Sequence, residues 1–129
     1  MGLNERRKVK ELQEVTFPGR VKEIEEICGE PVPYAVDWES IADDAGALNF
    51  IDNVSCHRLN MALRMICQDE MGKEAVREGL KVVKLKNVKN QPSSLSFQGG
   101  ALEMHCDYAI GAGAIISDGE IRQVLEKGL

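Results

Sequence analysis

The stretch from Leu95 to Tyr108 constrains the fold of this chain more than any other. Leu95 to Phe97 reads as a strand, Gln98-Gly99-Gly100 as a turn, and Ala101 to Tyr108 as a second strand. The paired glycines supply the positive φ that a tight hairpin requires. Just upstream, Lys81 to Val88 sets Val83 and Leu85 on one face of a further strand. A fourth strand signal lies far earlier, where Tyr34, Val36 and Trp38 alternate with Ala35, Asp37 and Glu39.

The other signals are helical. A short, weakly amphipathic helix is expected over about Asn4 to Val15. Pro18 suits the first turn of the next helix, Val21, Ile24, Ile27 and Cys28 follow at helical spacing, and Gly29 supplies a left-handed stop. Ser40 to Asp44 reads as a helix start, with Ala47, Leu48 and Ile51 continuing it. The longest helix is expected from Asn53 or Ser55 to about Gln68, and Asp69 caps another. Ala109 to Ile116 reads as a loop of small residues, and Ser117-Asp118-Gly119-Glu120 is a capping box that opens a final helix.

Three of the four strands are consecutive and two form a hairpin. The expected fold class is therefore α+β: a single layer of antiparallel or mixed sheet, about four strands, with helices packed mainly on one face. Its 129 residues are the length of one domain, expected to span 1–129 with no repeat and no linker.

Charge and cysteine usage narrow the function classes. A net charge of -5 disfavours nonspecific nucleic-acid binding, which depends on Lys and Arg neutralising phosphates. No apolar run approaches the length needed to cross a bilayer, so no membrane role is expected. Residues 1–10 lack the pattern of an export signal, which points to the cytoplasm. In that setting Cys28, Cys56, Cys67 and Cys106 are all expected as thiols, and no C-x-x-C pair signals zinc or redox chemistry.

Several groups of residues bear on chemistry. Glu103, His105 and Asp107 alternate along one strand, about 7 Å apart in turn, which would put them on one face. A carboxylate beside an imidazole can set its tautomer and basicity, or the three can hold a divalent metal. The plain alternative is a wet strand face. Asp37 and Glu39, with Asp43 and Asp44 beyond, offer oxygens to a hard cation, against a reading as solvated strand and helix-cap acids. Cys56 falls near an expected helix start, where a thiol can be acidified, but adjacent His57 points about 100° away. Gly111-Ala112-Gly113 and Gly72-Lys73 each lack the remaining residues of a nucleotide-binding loop, so no cofactor is expected.

The lysines from Lys81 to Lys89 could meet an anion, although lysine along a strand also guards a sheet edge. The last group is a second apolar stripe on the longest helix, Val54, Met61 and Met65, opposite its main apolar face. Such a stripe is buried under another helix or forms an interface. The function expected from these features is a non-catalytic, small soluble interaction protein of unknown partner that also associates with itself. A homodimer would form through Val54, Met61 and Met65 with His57 and Arg58 at the rim. The alternative is a small hydrolase using His105 with Glu103 and Asp107, with or without a metal; a third reading is a small-ligand or anion binder using the lysine strand and the Gly111 to Gly113 loop.

Overall fold

The structure, a computed structural model, describes residues 2–114 and 116–129. Its first helical rod joins α1 (Leu3–Glu11) to α2 (Phe17–Cys28) through a π turn at Leu12–Thr16. The expected break at Pro18 does not occur. The Phe17 N–H reaches back five residues to the Leu12 carbonyl, and Pro18, which has no N–H to place, follows at once. Gly29 ends the rod at φ 94°, donating its N–H to the Glu25 carbonyl at 2.8 Å.

Strand β1 (Tyr34–Val36) and the single turn α3 (Trp38–Ile41) come next. Trp38 therefore leaves the strand expected of it. Its ring instead packs edge-on against Phe17, with centroids 5.9 Å apart. A second rod then joins α4 (Ala45–Ile51) to α5 (His57–Ile66) through a π turn at Asp52–Cys56. Asp44 caps it by accepting the Ala47 N–H.

The two rods lie side by side and run in the same direction, fastened at three levels. Arg20 pairs with Asp52. One level on, Asn60 Nδ2 donates to Glu23 Oε1 at 2.6 Å. At the far end Cys28 is joined to Cys67 by a disulfide, their Cα atoms 5.6 Å apart. This overturns the expectation of four thiols. The parallel rods bring together two cysteines that are 39 residues apart in the chain. Cys56 and Cys106 remain free and buried.

Helix α6 (Glu70–Gly79) follows, capped by Asp69 as expected. Then come β2 (Val82–Asn87), β3 (Ser94–Gln98), β4 (Ala101–Cys106), a 3-10 segment at Tyr108–Ala114 and α7 (Asp118–Gly128). The sheet order is β1-β2-β4-β3. The two β2 pairings are parallel and β3–β4 is antiparallel, so the sheet is mixed. Gly99 and Gly100 turn the hairpin at φ 59° and 82°. The expected loop after β4 is instead the 3-10 segment, interrupted at Gly111 by φ 76°, and Ile115 lies outside the described residues.

Alternation divides the sheet into two faces. Val83, Leu85, Leu102 and Met104 are buried on the inner face among the helices. Lys84, Lys86, Glu103 and His105 project from the outer face, which is open. Tyr108 fastens the end of β4 to the second rod: its hydroxyl is 2.7 Å from Ser55 Oγ, both residues being buried. No described helix is long and apolar enough to cross a membrane.

Candidate functional site

The proposed acid–base trio is only partly assembled. Glu103 and His105 share the outer sheet face, but β4 ends at Cys106 and the alternation ends with it. Asp107 turns inward, is 7% exposed, and accepts the Asn90 N–H at 3.0 Å. Its carboxylate thus pins a loop residue whose φ is positive, and it does not face His105. Glu103 has another neighbour in Lys84, whose Nζ lies 3.8 Å away across the strand pair.

Asp37 lines the same shallow depression of about 270 Å³ as Lys84, Lys86, Glu103 and His105. Strand β2 separates β1 from β4, so lysines stand between the two acidic groups. Among the described residues no three His, Cys, Asp or Glu side chains are arranged to hold a metal. Asp44 is engaged as a helix cap, and Glu39 and Asp43 are exposed.

Cys56 is completely buried within the π turn. Burial pushes its thiol well above the ordinary value, opposite to what a nucleophile needs. Burial likewise raises Cys106. His57 is exposed on the opposite side of the helix from this core.

The apolar stripe is split. Val54, expected at the interface, is 3% exposed and belongs to the core. Met61 and Met65 are exposed, at 41% and 46%. The π turn explains the division. A five-residue turn inserts one residue, rotating what precedes it by about 100° relative to an ideal α-helix. Val54 lies within that turn and faces inward; Met61 and Met65 lie beyond it. Arg58, expected at the rim, is half-buried, and its Nη1 has no hydrogen-bond partner among the described residues.

Met65 belongs to a larger feature. Helices α5, α6 and α7 enclose a groove of about 530 Å³ floored by Met65, Met71, Ala75 and Leu129. A second depression of about 390 Å³ continues it along α6 and shares Met71, Ala75 and Leu129. Met71 is 81% exposed, the most exposed large apolar side chain described. The polar lining is mainly carboxylate: Asp69, Glu74, Glu78 and Glu126 against Arg122. Arg122 Nε lies 3.2 Å from Glu126 Oε1, near enough for an ion pair but without hydrogen-bond alignment. The sequence reading placed a helix after Asp69 but passed over Met71. Its spacing of four from Ala75, with Glu74 and Glu78 beside them, was the available signal.

No known protein family, curated protein or solved structure matches this chain.

Proposed function

We propose that this protein is a non-catalytic interaction protein that associates with other copies of itself through its exposed methionine surface. The observation that carries this is that exposed Met65 and Met71 line one open groove, with exposed Met61 one turn before Met65 on α5. Methionine adapts its shape to a partner, and apolar area left in water at this density marks contact surfaces. Val54 no longer contributes, and Met71 takes its place. A cytoplasmic setting belongs to the same proposal. A disulfide is unusual there, but this one is shielded, with Cys28 and Cys67 at 0% and 5% exposure.

Sedimentation at micromolar concentration tests self-association. The wild type is expected to exceed the mass of one chain, and Met65→Asp with Met71→Asp to return it to a monomer. A wild type that is monomeric throughout ends the proposal.

The alternative, a small hydrolase working through His105, draws its support from Asp37, Glu103 and His105 lining one depression. It requires a ligand or metal to bind that face. Calorimetric titration of zinc or manganese into wild type and His105→Ala decides it, since stoichiometric binding lost in the variant would favour the enzyme.

A further inference from the structure

The molecule has two unlike poles. Helix α1 stands at one end of the first rod, and the disulfide to Cys67, beside the methionine groove, stands at the other. Leu3 and Cys28 are 25 residues apart along this rod, which places them roughly 37 Å from each other.

The α1 pole is cationic. Leu3, Arg6, Arg7 and Lys10 fall at helical spacings of three, four and seven, and all four are exposed. Leu3 shows 52% of its surface. None of the three cations has an ion-pair partner among the described residues, Lys8 alone on this helix being paired, with Glu11. The groove pole is anionic. Glu74 and Glu78 are exposed and unpaired among the described residues, and Asp69 and Glu126 extend the carboxylate lining. Each pole thus carries an excess of the charge opposite to the other's, and the rod holds them too far apart to meet within one molecule.

We propose that copies of this chain join head to tail, the cationic face of α1 in one copy seated on the carboxylate-rimmed methionine groove of the next. Leu3 reaches the apolar floor formed by Met65, Met71 and Leu129. The aliphatic stems of Arg6 and Arg7 lie over methionine while their guanidinium groups meet Glu74 and Glu78. Pairing groove with groove across a two-fold axis would oppose carboxylates and leave α1 without a partner. Joined in the same orientation, each copy leaves one pole free for the next, so the assembly grows with concentration as a ring or a filament.

Head-to-tail joining presupposes the self-association proposed above, and a charge-swap experiment separates the two. One variant carries Arg6→Glu with Arg7→Glu; a second carries Glu74→Lys with Glu78→Lys. All four side chains are exposed, and glutamate near a helix start suits the helix dipole, so both variants should fold, as circular dichroism would verify. Sedimentation of the wild type should show mass increasing with concentration and falling with added salt. Each variant alone should associate at least about tenfold more weakly, because its two poles now have like charge. An equimolar mixture of the two should associate again, since each pole of one matches the opposite pole of the other. A wild type that stops at two copies, or one that associates but ignores both swaps, would overturn head-to-tail joining while leaving self-association in place. A monomeric wild type would overturn both.

Discussion

Arg20 holds Asp52 by two parallel hydrogen bonds, Nε to Oδ1 at 2.8 Å and Nη2 to Oδ2 at 2.9 Å, across 32 residues of chain. Both side chains are mostly buried, so water screens the pair weakly. Asp52 opens the π turn of the second rod, and the pair therefore sets the level at which the rods align. Asp52→Asn keeps the shape and removes one of the two charge partners of Arg20, leaving Glu23. A loss of about 2 kcal/mol is expected in denaturant unfolding, as for other charged hydrogen bonds. An unchanged midpoint would show that the rods are aligned by packing alone.

Glu23 gives the same network a pH dependence. Burial pushes its carboxyl upward, but hydrogen bonds from Asn60 and Arg20 and the positive charge of Arg20 outweigh burial, so it lies below the ordinary carboxyl value. The group is more acidic folded than unfolded. Its contribution is therefore fully present above the unfolded carboxyl pKa and is lost as pH falls through the lower folded value. Glu23→Gln should flatten the acid limb of the stability–pH curve below about pH 4.5. If wild type and variant lose stability in parallel there, Glu23 is not the group responsible.

The cysteines divide into two classes. Denatured without reductant, the protein should expose two titratable thiols, Cys56 and Cys106, and four once reduced. In the folded protein both free thiols should react slowly, being buried and pushed toward the neutral form. Cys28→Ser with Cys67→Ser should cost about 4 kcal/mol on the chain-entropy scale for a closed loop of this length. Four reactive thiols in unreduced protein would contradict the bridge.

Tyr108 offers a cleaner test of a buried polar contact. Tyr108→Phe removes the partner of Ser55 Oγ in a site closed to water. About 1–3 kcal/mol should be lost in thermal or denaturant unfolding. The double variant with Ser55→Ala should recover part of it, because no orphaned hydroxyl remains. A cost that is simply additive would mean that the two hydroxyls do not depend on each other.

Local chemistry was legible in the chain. The caps at Asp69 and Ser117, the Gly99-Gly100 turn and the left-handed Gly29 each follow from one residue's own conformational preference. The two π turns were not legible. A wheel drawn at a constant 100° carries Val54 onto the stripe of Met61, whereas the inserted residue turns it into the core. Asp107 was misplaced for a related reason: alternation says which way a side chain points only while the strand lasts, and β4 stops one residue short. The disulfide and the groove depend on residues far apart in sequence meeting at the ends of helices. No periodicity within a single element reports such a meeting. Exposed Met71 is the exception, being visible from its neighbours on α6 alone.

The sheet order also sets a timetable for assembly. The hairpin of β3 and β4 needs only its own short turn to close. Strand β2 then meets β4 with Val83 beside Leu102, 19 residues along the chain. Strand β1 meets β2 with Tyr34 beside Val83, 49 residues away, and both the second rod and α6 must be gathered in between. Contacts of long sequence separation form late because the intervening chain must first be ordered. By sequence separation, construction is expected to run backwards relative to synthesis: β1, the strand made first, would be the last laid into the sheet, where its three residues form one of the two edges.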